Sequence, residues 1–503
     1  MRFPMDTRLS TRAERTQPVI VADPPVTGER SLLGYPGVAL AGILLGVSTL
    51  AFSSLPPKLL PLFLLGALFP FLGVIFGDVR KLLLAAIILD IPLKIDINFN
   101  YLEDRAELGA IGGFEISLTT LALAGLYAGW LVESLTRRDR PAAPPFQLIR
   151  PLAVYVLFVA LSVVTAQDFG LYARGLFLIL QIFLLFVYLV GWVRTTQDVR
   201  FIVTMLLCGL VLESAIIIGF GQSAESFELA GVRILVNTAT EDLGGSRFYG
   251  TLGSPINTAA YLSMLLAPAV GLLATNIGRP SKMLAVAGIA LGSVALIGTL
   301  SRAAWASAGV SMAVTCLAFR RRGSVPVAVP FLLLVFVAAV SLNFQGTIAT
   351  RLTSDDQGSA RGRVPLMMTA LDIIGDNPVL GIGANNYTAA LKRYESTFKG
   401  DWLFTVHNKY LLVWAETGIV GLAAFLWFLI ATIRQGWRQW KRSDPLLSPL
   451  ALGFTAAIVG QMGHMFVDIF SSRPQIQLLW VVAALIAVMS PMESPHLRRD
   501  TGG

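Results

Sequence analysis

Four arginines and one histidine have the chemistry and placement that a reaction on an anionic substrate would require. Arg247, Arg302, Arg361 and Arg363 each lie in or beside a polar break in an otherwise apolar chain. Guanidinium groups bind phosphate oxygens through paired, charge-assisted hydrogen bonds. His407 carries a side chain whose ordinary pKa is near neutrality, which suits a general base. Taken singly, each arginine is also explained as a solvated surface residue, and His407 as a polar residue before a helix.

The two arginines of the longest polar segment precede a predicted helix. Residues 366–374 repeat apolar side chains at helical spacing, Pro365 suits a first helical turn, and Gly375 marks the end. Free backbone N–H groups and the helix dipole favour an anion at a helix N-terminus. We therefore predict that Arg361 and Arg363 flank a helix start that can bind phosphate.

Five further residues are candidates for supporting that chemistry: Tyr387, Asn408, Glu416, His464 and Asp468. His464 and Asp468 stand four residues apart near the end of an apolar run, which predicts a shared helix face. Ionisable residues inside a membrane are functional candidates by default. An equal alternative is that His464 and Asp468 only interact with each other and have no functional role. Glu416 lies on the helix predicted to follow position 408, where it would orient a polar network or pack.

The composition indicates a membrane protein. Of 503 residues, 55% are hydrophobic and 14% charged, about half the charged fraction of an ordinary soluble domain. We predict an all-α, polytopic integral membrane protein with about fourteen transmembrane helices and a mostly helical cap on the outer face. The predicted spans are 36–54, 59–77, 80–93, 115–134, 150–166, 170–193, 199–221, 256–275, 283–300, 303–319, 325–342, 409–431, 448–469 and 476–490.

The distribution of lysine and arginine orients these spans. Basic residues should crowd the cytoplasmic loops, which places both termini in the cytoplasm and accounts for the formal charge of +8 without a nucleic-acid partner. The predicted organisation is a disordered basic tail 1–35, spans within 36–342 with outer loops 94–115 and 222–255, a periplasmic catalytic loop 343–408, spans within 409–490 and a cytoplasmic tail 491–503. The cytoplasmic loops are too short for a catalytic domain, so chemistry is expected at the outer face.

The sequence offers little for a metal or cofactor. The two cysteines lie in apolar segments, which indicates neither a disulfide framework nor a zinc site. The pattern of an ATP-binding phosphate loop is absent. We expect neither a metal nor a cofactor.

The order of the motifs resembles a known family. His407 and Asn408, followed after nine residues by Gly418 and then by Gly421, are similar to the histidine signature of the bacterial O-antigen ligase and O-antigen polymerase family. Its other motifs are matched in order at 247–257, 301–302, 362–363 and 376–383. The resemblance covers roughly residues 247–421.

The resemblance implies an all-helical, metal-independent glycosyltransferase of the inner membrane, with a periplasmic active site. Such an enzyme transfers a glycan from undecaprenyl or another polyprenyl diphosphate to an acceptor hydroxyl, with inversion. It implies that Arg247, Arg302 and Arg363 hold the diphosphate, with Arg361 as their neighbour, and that His407 is the base. Implied partners are the lipid-linked donor, a glycan or lipid A-core acceptor, membrane lipid, a chain-length regulator and a flippase.

Three functions stay open. A polymerase of O-antigen or exopolysaccharide repeat units is favoured, because about fourteen spans exceed the number expected of a ligase. The alternative within the family is a ligase that transfers the glycan to lipid A-core during lipopolysaccharide assembly. A transporter or flippase of lipid-linked sugars is the alternative of another class. It is disfavoured because the chain shows no internal repeat, and because the candidate arginines are predicted on the outer side rather than at the membrane midplane.

Overall fold

A computed structural model gives the fold of most of the chain. It describes residues 78–136, 146–220, 225–229, 232–236, 247–322, 359–395, 398 and 403–490. The predicted spans 36–54, 59–77 and 325–342, both predicted tails and the first part of the predicted catalytic loop lie outside these residues.

The described chain is helical. The helices are α1 Val79–Leu93, α2 Glu103–Glu107, α3 Leu118–Thr136, α4 Phe146–Leu161, α5 Phe169–Trp192, α6 Thr196–Phe220, α7 Pro255–Leu273, α8 Arg279–Gly298, α9 Arg302–Arg322, α10 Ser359–Asp376, α11 Tyr387–Tyr394, α12 Lys409–Trp440, α13 Leu447–His464 and α14 Arg473–Met489. Two antiparallel ribbons pair β1 Asp96–Phe99 with β2 Phe114–Ser117, and β3 Glu225–Leu229 with β4 Val232–Val236.

Each predicted span within the described residues coincides with a helix, because a long apolar run must satisfy its backbone internally. Eight of the described helices are long and apolar enough to cross a membrane, and α14 is a shorter apolar helix. These features confirm the predicted all-α polytopic membrane class. The count of about fourteen spans stays a prediction.

Helices α7 and α13 pack closely in the centre. A Cβ atom at Gly453 of α13 would lie 2.7 Å from the carbonyl oxygen of Ala267, so only glycine allows this approach of the two backbones. The Gln461 side chain of α13 donates to the Ala260 carbonyl at 3.1 Å and to Ser263 Oγ at 2.8 Å on α7. Small residues and the hydrogen bonds of Gln461 therefore hold α7 and α13 together.

A buried ionic cluster joins the start of α14 to the end of α1. Arg473 donates to Asp90 Oδ2 at 2.7 Å, and lies 3.3 Å from Asp96 Oδ2. Thr119 adds hydrogen bonds to Asp90 from its backbone N–H and its hydroxyl. Loss of one partner would leave a buried charge uncompensated, so this cluster fixes the position of α14.

The connections that the sequence places on the outer side gather at one end of the bundle. Hydrogen bonds between them link Thr405 N to Leu108 O (3.0 Å), Asn386 Oδ1 to Asp168 N (2.7 Å), Ala384 N to Ser162 Oγ (2.9 Å), and Lys409 N to Met465 O (2.8 Å). Residues far apart in sequence therefore meet at this end.

Candidate functional site

His407 lies in the irregular segment that leads into α12. Its imidazole stacks on Phe404, with ring centroids 5.3 Å apart and planes inclined by 26°. The backbone N–H of Lys409 donates to Met465 O, which ties the start of α12 to the turn after α13. Asp468 follows that turn, and its charge acts on His407. The segment that carries His407 is thus tied to the turn after α13.

Two arginines share this region with His407. Burial lowers the pKa of the Arg363 guanidinium, Asp468 opposes that shift, and Arg302 adds to it by charge repulsion. Arg302 is the first residue of α9, and Arg363 lies in α10. The structure therefore brings the charges of these residues close enough to act on each other.

Arg247 approaches the same region through the connection before α9. Its Nε donates at 3.0 Å to the carbonyl oxygen of Thr299, three residues before Arg302. Phe248 N donates to Gly298 O at 3.1 Å, which holds this segment against the end of α8. Arg361 lies on α10, but its side chain falls outside the part of the chain that the structure describes. The described geometry thus holds Arg247 against the connection that leads into Arg302.

The charge environment keeps His407 neutral. Burial is the largest cause that lowers its pKa and Arg363 the next, while Asp468 opposes them, and the result is a pKa of about 4. An imidazole with this pKa is unprotonated at neutral pH, the form that can accept a proton. Burial and Arg363 together therefore make it a weak base.

This assignment predicts opposite pKa shifts for two variants. Arg363→Gln removes a cause that lowers the pKa of His407, so the pKa should rise from about 4 towards 6.5. It should stay below 6.5, because burial remains. Asp468→Asn removes the carboxylate that raises the pKa, which should fall. A titration of the His407 ring resonances by NMR, from about pH 3 to about pH 8, checks both signs. Equal titration curves in the three proteins would contradict this charge coupling.

The predicted start of α10 is wrong. The helix begins at Ser359, so Arg361 and Arg363 lie within it and Pro365 is internal. Proline lacks the N–H that would bind the carbonyl four residues earlier, but α10 tolerates this loss because Ala370 and its apolar neighbours pack in one cluster with α12. Arg361 and Arg363 therefore lie within the first turns of the helix rather than before it.

The predicted pairing of His464 and Asp468 on one helix face is also wrong. Helix α13 ends at His464, and Asp468 lies in the following connection, where it accepts a hydrogen bond from Gln475 at 2.7 Å. A continuing helix would use the Met465 carbonyl to bind residue 469, but Lys409 N takes that carbonyl instead. His464 is buried, with Nδ1 3.4 Å from Gln461 Oε1, and its charge still interacts with that of Asp468.

The glycine pattern of the resemblance has a structural explanation. Helix α12 is interrupted at Gly418, with φ 71° and ψ −179°. The interruption frees the carbonyls of Ala415 and Glu416, which accept from Ile382 N at 2.9 Å and Gly383 N at 3.0 Å. The turn before α11 is thereby docked on α12.

Glu416 extends this docking with its side chain. Its carboxylate accepts hydrogen bonds from the backbone N–H groups of Asn385 and Tyr387, at the start of α11. Its charge also interacts with Lys409 on the same helix. Glu416 thus positions the turn and α11 relative to the segment that carries His407.

Asn408 is the N-cap of α12. Its Oδ1 accepts from Tyr410 N at 3.0 Å and Leu411 N at 3.1 Å. Asn408→Ala should therefore destabilise the protein by about 0.5–2 kcal/mol, whereas Asn408→Asp should keep most of the stability. Thermal unfolding of the purified variants checks this prediction. A loss of activity in Asn408→Ala without a loss of stability would instead indicate contact with substrate.

Sequence reasoning missed Lys409 and Arg473. Lys409 is 9% exposed, and Arg473 is 1% exposed. Both residues could have been noticed, because each is a basic residue at the start of an apolar run. They lie on the side of the membrane where the orientation rule expects few basic residues. Their partners, Glu416 and Asp90, could not be read from local patterns.

The fold and this site define a multipass α-helical membrane protein with two arginines and a neutral histidine at one end of its bundle. Residues 287–426 match the family model described as O-antigen ligase. The match confirms, over this segment, the resemblance seen in the motifs. The matched segment contains Arg302, Arg363 and His407, and Arg247 precedes it. No curated protein matches the chain.

Proposed function

We propose that this protein is a glycosyltransferase that moves a polyprenyl-diphosphate-linked glycan to an acceptor hydroxyl, with inversion, at the periplasmic face of the bacterial inner membrane. The observation that carries the proposal is the proximity of Arg302 and Arg363 beside a neutral His407. Two neighbouring guanidiniums repel each other, and a diphosphate relieves that repulsion. The donor implied by the family has this group.

In the proposed reaction, the acceptor oxygen attacks C1 of the donor sugar from the face opposite the diphosphate. The bond from C1 to the diphosphate oxygen breaks, and the electron pair leaves with the diphosphate. Arg302 and Arg363 stabilise the negative charge that develops there, and Arg247 assists them. His407 takes the proton of the acceptor hydroxyl.

Donor binding would also prepare the base. Because Arg363 lowers the pKa of His407, a diphosphate bound to Arg363 should offset that effect and raise the pKa. His407 would then be a stronger base once the donor is present. The donor thus activates the base that takes the proton of the acceptor hydroxyl, and this discourages proton transfer in the empty enzyme.

An apolar face on α10 supports a lipid-linked donor. Val364, Met367, Met368 and Leu371 are exposed and recur at helical spacing, so they form one stripe. The stripe begins one residue after Arg363. A ligand with a hydrocarbon chain attached to its diphosphate fits this combination of charge and apolar surface.

Within the family we propose a polymerase that extends surface polysaccharide. The preference rests on the predicted number of spans. Ligation to lipid A-core is the second candidate, because the matching family model is described as O-antigen ligase. The two reactions share the donor and differ in the acceptor.

The test is a reaction with the purified protein in nanodiscs. The donor is the undecaprenyl-diphosphate-linked repeat unit extracted from the producing cells, supplied with and without lipid A-core, and the products are resolved on a gel. A ladder from the donor alone establishes a polymerase, and a single shifted band that requires lipid A-core establishes a ligase. Donor binding without any product would contradict the enzyme and favour transport.

A further inference from the structure

A polar cavity lies beside the site, and none of the arginines whose side chains are described lines it. Its volume is about 50 Å³, and its polar wall includes Lys409, Glu416, Tyr387, Thr388 and Thr405. This volume holds about three or four water molecules. It therefore has room for a few hydroxyl groups, but not for a whole sugar ring.

Two hydroxyl groups of the wall are unsatisfied. Tyr387 and Thr388 are each 1% exposed. Among the described residues, neither Tyr387 Oη nor Thr388 Oγ1 has a hydrogen-bond partner. A buried polar group without a partner costs about 1–3 kcal/mol, so such groups at a cavity wall indicate a ligand that supplies the partners.

The charges of this cavity differ from those of the arginine site. Lys409 and Glu416 lie two helical turns apart on α12, and each acts electrostatically on the other. Their charges balance, so the cavity favours a neutral polar ligand over an anion. The arginine site and this cavity therefore select different chemical groups.

Much of the remaining wall is apolar, and it includes an aromatic ring. Ile111, Ile179, Val413 and Ile476 contribute aliphatic surface, and Tyr155 contributes a ring. Sugars present hydroxyl groups at their edges and C–H groups on their faces. A wall with both polar hydroxyls and apolar surface is complementary to that pattern.

The cavity is next to the base in the chain. Thr405 and Lys409 line it, and each is two residues from His407. Two residues span at most about 7 Å of backbone. A ligand in this cavity therefore lies near the segment that carries His407, in a charge environment that differs from that of the arginine site.

We propose that this cavity is the acceptor subsite, in which Tyr387, Thr388, Lys409 and Glu416 bind the hydroxyl-bearing edge of the acceptor sugar. The assignment rests on the proposed glycosyl transfer and adds to it the residues that select the acceptor. Tyr387 and Thr388 bind the sugar edge, while Glu416 also holds the backbone N–H groups of Asn385 and Tyr387.

The test removes the two hydroxyls at constant shape, with Tyr387→Phe and Thr388→Val. The nanodisc reaction is run with a fixed, subsaturating concentration of lipid-linked repeat unit, because that molecule can itself act as an acceptor. It is titrated with lipid-free repeat-unit oligosaccharide or, in a second arm, lipid A-core, and only the product that carries the added acceptor is quantified. Each variant should raise the acceptor KM about 3- to 10-fold, the range expected for one neutral hydrogen bond, with the donor KM unchanged. Thr388→Ser, which keeps the hydroxyl, should retain the wild-type acceptor KM.

Tyr394→Phe is the matched control, because the Tyr394 hydroxyl donates to Asp376 at 2.5 Å and lies outside the cavity wall. Its acceptor KM should equal that of the wild type. An unchanged acceptor KM in both cavity variants, with active wild-type enzyme, overturns the subsite and leaves the proposed function standing. Absence of product from the wild-type enzyme in both arms overturns the proposed function itself. Thermal unfolding of every variant separates a loss of fold from a loss of acceptor binding.

Discussion

Replacement of His407 with glutamine is expected to lower kcat about 100- to 10,000-fold, the usual contribution of a positioned base. Glutamine retains polarity and approximate size but cannot take a proton from the acceptor hydroxyl. The guanidiniums remain in place, so the donor should bind as it does to the wild-type protein. The effect should therefore fall on turnover rather than on donor affinity.

The measurement is single-turnover product formation in nanodiscs, together with donor binding. His496→Gln is the matched control, because this histidine lies in the C-terminal segment outside the described residues and has no proposed role. It should keep wild-type turnover. A kcat for His407→Gln within about threefold of the wild type would exclude His407 as the base, since the expected loss is at least 100-fold.

Replacement of Gly418 with alanine should have the largest effect on the fold. Its φ of 71° and ψ of −179° belong to a region that is essentially restricted to glycine, with a cost of about 1–3 kcal/mol for other residues. A Cβ atom there would lie 1.9 Å from the carbonyl oxygen of Val379. The turn would have to move, and the bond from Ile419 N to Pro378 O at 3.0 Å would be lost. We expect a loss of more than about 3 kcal/mol.

Gly375→Ala is the matched control for that variant. Gly375 lies in α10, close in sequence to the same turn, and a Cβ atom added there meets no atom within 4 Å. Alanine is favoured over glycine in a helix by up to about 1 kcal/mol, so this variant should be as stable as the wild type or more so. Thermal unfolding and the yield of folded protein in detergent distinguish the two. Equal stability of Gly418→Ala and Gly375→Ala would show that the interruption of α12 is not required.

Several elements were predictable because their signals are local. Apolar runs of sufficient length predicted α5, α6 and α7 within a few residues of their observed bounds. The position of His407 just before a helix followed from the change to an apolar sequence.

Other elements depended on partners far away in the chain. The end of α13 at His464 follows from a hydrogen bond between Lys409 N and Met465 O, which local spacing does not reveal. The interruption at Gly418 follows from a turn some forty residues earlier that takes the freed carbonyls. The start of α14 at Arg473 requires Asp90, nearly four hundred residues away.

By itself, the sequence determined the membrane class and the inventory of reactive groups, because hydropathy, helical periodicity and residue chemistry act over short stretches of chain. Only the tertiary structure decided which of those groups interact. Arg302, Arg363, His407 and Asp468 come from four separate connections or helices, and their charges act on one another because folding brings them together. Electrostatic coupling depends on distance in space and on burial, and neither quantity is encoded in local spacing.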